Sequence, residues 1–379
     1  MEVLVSADCD GAVRRWGTDG SSVCILPPHK EPVNVLRADN AANRVFLGKH
    51  KQVMSIDLVT NQSVLNVEAH KSNVLDVDWC APVSLLFTAG EDSHLKAIDP
   101  KSDAVMNVMD LSNMRVPINT LRVFEDRLYV GDNAGFLHVL DVRNLKQALA
   151  TRGLSSSGIV SLDIAPTGHT CALDDDGAVF FWTPSRVDGA VGHHAHLPID
   201  QASSCRFTSD GRVVVTSALP DVWVFAGASG SSTPDGDGTR SGHDNGMGNG
   251  VARGGVGKDD VGMAAAFTPL FRLAGLQRGA WSSCTSSTNQ YIFVGCEDAS
   301  IAVYDLSLDP HAPDQLRSSQ SADLASSSLS SSSSSLSTSS PRRKTSLEQS
   351  NAAVIPEPSW VWKGHEFDVV SVTTAIAPS

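Results

Sequence analysis

Apolar and polar residues alternate along this chain in short runs, and the runs come in a fixed order. Between Val74 and Asp99, VLDVDW has the alternation of a half-buried strand. APVS then reads as a turn, LLFTAG as a second strand, EDS as a tight turn and HLKAID as a third strand. The same order recurs at 118–141 and 159–182, with weaker copies at 33–57, 203–225 and 281–305. Short strands at such regular spacing predict an all-β fold without alternating helices.

The runs also keep a period. Ile56-Asp57, Ile98-Asp99, Leu140-Asp141 and Trp182-Thr183 close four of them at intervals of 42 residues. A period of about 40–45 residues ending in a Trp-Asp-like pair is the signature of a β-propeller. Six repeats lie wholly inside the chain. At the C-terminus, SWVWKGHEFDVVSV reads as an outer strand, a Gly-His turn and an inner strand. At the N-terminus, MEVLVSADCDGAVRRW supplies the two strands still missing. Shared completion of one blade leaves no open sheet edge in the ring. The expected fold is therefore a single seven-bladed propeller over 1–379, with four-stranded blades and a ring closed by the N- and C-terminal strands.

Two segments fall outside the period. Residues 226–265 are rich in Gly, Ser and Asp, and 308–357 are Ser-rich, with an unbroken run at Ser331–Ser335. Neither holds enough apolar surface to offset the entropy of ordering, so both are expected to be disordered. Each follows the third strand of a repeat and precedes an outer strand. Both are thus expected to leave from one face of the disc, at neighbouring blades.

Composition narrows the function classes. With 41% hydrophobic residues the chain can build a core. Its formal net charge of −13 argues against a general nucleic-acid or membrane-surface binder, which needs a basic footprint. Seven cysteines, an odd number without a CxxC pair, suit a reduced intracellular protein, cytoplasmic or nuclear. The N-terminal MEVLVSADCDG has no basic start and no long apolar core, so no signal peptide is expected. No apolar run approaches the roughly 18 residues of a membrane span.

The chain resembles the WD40-repeat family. Gly364-His365 matches that family's Gly-His turn, and Asp10/Trp16, Asp92/Ile98, Asp176/Trp182 and Asp298/Tyr304 match its Asp-x5-Trp spacing. The resemblance implies that His70, Thr88 and Asp92 form a buried hydrogen-bond network tying the turns of one blade, and not a catalytic triad. It implies the same of His365, Ser6 and Asp10 across the ring closure. The sequence also departs from the family. Only Trp16 and Trp182 fill the tryptophan site, and neither precedes an aspartate. His50 and Ala134 stand in for the turn aspartate in two repeats. Residues 116–144 are also similar to a repeat of nucleolar WD-repeat proteins implicated in ribosomal RNA processing.

Other clusters read as ordinary structure. DDDG (174–177) lacks the further oxygen ligands of a calcium loop and reads as a turn with Gly177 at positive φ. His193, His194 and His196 lack cysteine partners and read as an inter-blade loop. Asp76 and Asp78 lie on an inner strand, where a propeller hydrolase would place metal ligands. The matching strands offer mostly apolar or small residues, so no metal and no cofactor is expected. Arg342, Arg343 and Lys344 precede Thr345 and Ser346, the pattern of a basophilic kinase substrate.

The expected function is a non-catalytic scaffold for protein–protein contacts in a multiprotein complex, with a ribosome-assembly or other nuclear complex as the alternative. The expected docking residues are Glu31, Lys71, Glu91, Asp175, Glu297, Glu366 and Phe367, beside Lys49, His50 and Lys51. Their acidic majority suits a partner with a basic patch.

Overall fold

The computed structural model describes residues 2–182, 193–196, 201–225, 269–306, 353–355 and 358–376. Apart from two single 3-10 turns, the regular structure among them is all β. The chain begins with β1 (Glu2–Asp8), β2 (Val13–Trp16) and β3 (Ser22–Leu26). A six-stranded sheet follows: β4 (Val33–Asp39), β5 (Arg44–Asp57), β6 (Gln62–Cys80), β7 (Leu85–Gly90), β8 (His94–Asp99) and β9 (Ala104–Asp110). Two four-stranded sheets come next. One holds β10 (Ile118–Phe124), β11 (Arg127–Asp132), β12 (Phe136–Asp141) and β13 (Asn144–Gly153). The other holds β14 (Ile159–Ile164), β15 (Thr170–Asp174), β16 (Ala178–Trp182) and β17 (His193–His196).

The next sheet contains β18 (Ala202–Phe207), β19 (Val213–Ser217), β20 (Val222–Phe225) and β21 (Pro269–Leu273). The following one contains β22 (Ala280–Thr285), β23 (Tyr291–Cys296), β24 (Ser300–Asp305) and, as its fourth strand, β26 (Trp360–Lys363). Between β24 and β26 in sequence, β25 (Ala353–Ile355) adds to the edge of β21 in parallel. The last strand, β27 (Val369–Ile376), pairs with β1 from Glu2↔Ile376 to Asp8↔Val369. The final sheet therefore runs β27-β1-β2-β3 and joins the two ends of the chain. The inner strands β4, β6, β10, β14, β18, β22 and β27 each touch the next, and β27 touches β4, so the ring closes around a central channel.

Burial explains why the strands read as they do. β7 is buried from Leu86 to Gly90 because its sheet is stacked on both faces. Leu86 enters the cluster of Val35, Phe46, Val53, Val74 and Val77. Phe87 and Ala89 enter the cluster of Ile118, Leu121 and Val130. The outer strands β9 and β13 face water and are exposed or half-buried along their length, Val105, Met106 and Leu149 included. Each fully buried Leu, Val or Phe contributes about 1.5–3 kcal/mol.

Two expectations about the architecture are corrected. Six hydrogen-bonded sheets stand among the described residues where seven four-stranded blades were expected. The reason is continuity. β6 pairs with β5 as far as Asn73 and with β7 from Val74 onward, without a break between outer and inner strand. The second and third expected blades are thus one six-stranded sheet. The GHHAH stretch is not a loop, because His193–His196 pair with Ala178–Phe181 as β17. Of the two segments expected to be disordered, 226–265 and 308–357, only Ala353–Ile355 is among the described residues, and it is the strand β25. Thr345 and Ser346 lie outside the described residues.

Candidate functional site

The turns on one face of the ring carry most of the predicted residues. Six of the turns between a second and a third strand are tied to the loop that enters the inner strand. The backbone N–H of Cys9 donates to Asp368 O, Glu91 to Asn73 O, Asn133 to Pro117 O, Asp175 to Gly158 O, Ala218 to Gln201 O and Glu297 to Gly279 O, at 2.9–3.1 Å. This recurrent bond holds the two kinds of turn together. Five of these turns also place one residue at positive φ: Gly11, Ser93, Gly135, Gly177 and Ala299.

A buried network lies behind two of these turns. His70 Nδ1 donates to Asp92 Oδ1 at 2.8 Å, and Thr88 Oγ1 donates to His70 Nε2 at 2.9 Å. The second Asp92 oxygen accepts from the Lys71 N–H. The tautomer follows from the carboxylate, which can only accept. Burial opposes the Asp92 charge, but the donors from His70 and Lys71 outweigh it and hold the carboxyl below its usual range. At the ring closure, Trp16 Nε1 donates to Ser6 Oγ at 2.7 Å, Ser6 donates to His365 Nε2 at 2.6 Å, and His365 Nδ1 donates to an aspartate. That aspartate is Asp8, at 2.8 Å, and not Asp10. Asp10 serves the turn through its backbone, with its N–H on Asp8 Oδ1 and its carbonyl accepting from His29 and Lys30.

The acid sits at the strand end elsewhere too. His138 Nε2 bonds Asp132 Oδ2 at 3.0 Å, and Ser155 donates to Asp174 Oδ2 at 2.6 Å. Asp176 takes Ser157 instead, and Trp182 packs in an apolar cluster with Tyr129 and Phe180. Asp298 caps its own turn through the Ser300 N–H. In the sheet that uses Asp92, the strand-end position is Gly90. A Cβ there would lie 2.4 Å from His70 Nδ1 and 2.7 Å from Asp92 Oδ1. The strand-end Asp8 thus takes, on His365, the place that the turn residue Asp92 takes on His70. The signal available in the sequence was Asp8, Asp132 and Asp174 recurring at one repeat position, which Gly90, Ser217 and Cys296 fill in other sheets.

The predicted docking residues separate on this face. Lys71, Glu91, Asp175, Glu366 and Phe367 are exposed, while Glu31 and Glu297 are half-buried. Glu91 accepts from Ser72 Oγ at 2.6 Å. Lys49 is not a surface cation: it is buried and paired with Glu31 at 3.6 Å. Sequence reasoning missed the apolar members, Met114, Phe136 and Trp281, each more than 40% exposed.

The channel wall is laced by side chains that reach from one inner strand to the next. Second residues reach a carbonyl: Asn34 donates to Val74 O, Asn119 to Ile159 O and Ser203 to Ala280 O. Third residues accept an N–H: Ser371 from Leu36, Asp76 from Leu121 and Ser161 from Cys205. Fifth residues do the same one step lower, Asp78 from Val123 and Asp163 from Phe207. Asp76 is the centre of this wall. Its oxygens also meet Arg37 at 3.0 Å, Arg122 at 2.8 Å and Thr120 at 3.0 Å. Burial would raise its pKa, but Arg37 and Arg122 hold it down at about 2. Asp78, two residues on, is pushed up by burial. Among the described residues no group of three or more His, Cys, Asp and Glu is gathered to hold a metal ion.

Comparison with known proteins fits these turns. Residues 61–99, which contain His70, Thr88, Asp92 and Gly90, match the family model "WD domain, G-beta repeat" of WD40. The matched stretch is a WD40 repeat, and it sits within a β-propeller. A stretch of 96 residues is 31% identical to the intraflagellar transport protein 80 homologs of Mus musculus and Rattus norvegicus. That stretch is 25% of this chain and 12% of the length of those relatives. Solved structures share the fold at low identity. A chain from the crystal structure of the mitotic checkpoint complex superposes with a TM-score of 0.62 at 12% identity, over 80% of this chain and 84% of that one. The computationally designed Ika8 protein superposes with 0.54 at 17% identity, over 80% of each chain. Among the described residues no helix is long and apolar enough to cross a membrane.

Proposed function

We propose that this WD40 propeller is a non-catalytic scaffold that holds partner proteins in a larger assembly, and that a partner with a basic patch docks on the turn face. The observation that carries this is the recurrent turn-to-loop hydrogen bond, which fixes an array of exposed Glu91, Asp175 and Glu366 beside Phe367, Met114, Phe136 and Trp281. A rigid face with aromatic anchors and a charged rim has the make-up of a protein interface. The likeness to part of an intraflagellar transport protein supports membership in a multiprotein complex. Seven free thiols, four of them buried, support an intracellular site of action. Thr345 and Ser346, beside Arg342, Arg343 and Lys344, are proposed as phosphorylation sites.

The test is the triple reversal Glu91→Lys, Asp175→Lys, Glu297→Lys, compared with wild type for its melt and for proteins that co-purify. The expected result is an unchanged melt and the loss of at least one partner whose wild-type association weakens with salt. A variant that folds and retains every wild-type partner overturns the acidic-face reading.

A further inference from the structure

The fifth residues of successive inner strands alternate in charge. They are Arg37 in β4, Asp78 in the second half of β6, Arg122 in β10, Asp163 in β14 and Arg206 in β18. The series then ends with two neutral residues, Cys284 in β22 and Thr373 in β27, before Arg37 is reached again. Two guanidiniums therefore flank a gap in an otherwise alternating ring.

The internal repeat shows what is missing at that gap. Arg122 Nη1 reaches back to the third residue of the preceding inner strand, Asp76, at 2.8 Å, and also donates to Leu121 O. Arg206 Nη1 makes the equivalent reach, to Ser161 Oγ at 3.5 Å and to Cys205 O at 3.1 Å. Ser161 thus occupies the place of Asp76, and a hydroxyl stands where the repeat elsewhere has a carboxylate. The nearest acid, Asp163, is already engaged by Arg122 Nε at 3.2 Å and by the Phe207 N–H. Across the gap, Arg37 spends Nη2 on Asp76, and its Nε is buried without a hydrogen-bond partner.

We propose that the central channel binds a small oxyanion, a carboxylate or phosphoryl group, on Arg206 and Arg37 across Cys284 and Thr373. Burial and the charge of Arg122 both disfavour the Arg206 cation, and a bound anion would offset them. A cavity lies next to this gap on the face opposite the acidic turns. The residues that follow Arg206, Cys284 and Thr373 are Phe207, Thr285 and Thr374, and they line a cavity of about 270 Å³. A guanidinium presents paired donors that fit the oxygens of either anion.

The test uses the full chain at low ionic strength, with inorganic phosphate and succinate as separate probes and chloride at matched ionic strength as the control. Calorimetry and thermal melts are read for wild type, Arg206→Gln and Ser161→Asp. The second variant keeps every arginine and copies the Asp76 arrangement already present in the ring. The expected result is saturable binding of one or both probes to wild type, weakened roughly tenfold or more in both variants, as for loss of a charge-assisted hydrogen bond. Phosphate without succinate would assign a phosphoryl ligand, and the reverse a carboxylate. The proposal is overturned if neither probe binds wild type beyond chloride, or if Ser161→Asp binds as wild type does. Should Arg206→Gln fail to fold, Ser161→Asp decides alone.

Discussion

His365 Nδ1 lies 2.8 Å from Asp8 Oδ2, a contact between residues 357 positions apart in the chain. Both side chains are buried, at 0% and 3% exposure. The hydrogen bond joins the loop before β27 to the end of β1, so the seam of the ring is fastened by a polar network as well as by strand pairing. Within a buried network each member depends on the others being satisfied.

This contact separates two neighbouring aspartates. Asp8→Ala leaves a buried imidazole N–H without its acceptor and is expected to cost about 1–3 kcal/mol. Asp10→Ala removes no contact to His365 and is expected to stay within about 0.5 kcal/mol of wild type. Chemical denaturation of the two variants side by side checks the assignment; equal losses would return the role to Asp10.

The seam also depends on β27 itself. A chain ending before Val369 loses every pair from Val3↔Ala375 to Asp8↔Val369 and uncovers Leu4, Trp16 and Phe293 in the cluster they share with Val369 and Val372. The expected outcome is aggregation or loss of a cooperative melt, seen by light scattering and calorimetry. A truncated chain that melts like wild type would show that the ring does not need this strand.

Ala299 adopts φ 63°, at the turn position that Gly11, Gly135 and Gly177 fill elsewhere. An L-residue with a Cβ pays about 1–2 kcal/mol in this left-handed region. Part of that gain is offset by the greater freedom of glycine in the unfolded chain. Ala299→Gly is therefore expected to raise stability by roughly 0.5–1 kcal/mol, measured as a higher denaturation midpoint at constant slope.

Asp76 gives the fold a defined acid limit. Its pKa is held at about 2 in the folded chain, below the unfolded value of about 3.9. The stabilisation is present in full above the unfolded pKa and is lost as pH falls toward the folded one, because the unfolded chain takes up the proton first. Stability should thus decline between about pH 4 and pH 2. Asp76→Asn should lower stability at neutral pH by about 3–5 kcal/mol, by stranding Arg37 and Arg122, and should flatten the slope in that window. A variant with an unchanged acid slope would assign the decline to other carboxylates.

Much of this molecule was legible in the residues. The alternation at VLDVDW, the 42-residue spacing and the Gly-His turn gave the strand order, the propeller class and the joining of the two ends. His70, Thr88 and Asp92 meet within one repeat, where the local turn geometry places them. The number of sheets was not legible. Whether an outer strand bends into the next inner strand or breaks before it depends on backbone hydrogen bonding through Asn73 and Val74, and periodicity is the same in both cases.

The sequence by itself determined what recurs: strands, turns and the apolar faces, whose physics is local and repeats with the period. Tertiary structure alone decided which of several equivalent polar residues meet. Asp8 and Asp10 are both acids in one turn, and only the approach of His365 from the other end of the chain selects Asp8. Arg37, Arg122 and Arg206 read as scattered charges until ring closure sets their strands side by side. Then Asp76 lies between two of them, and Ser161 fails to neutralise the third. Charges act through distance in space, at a few ångströms, and distance along the chain does not report it.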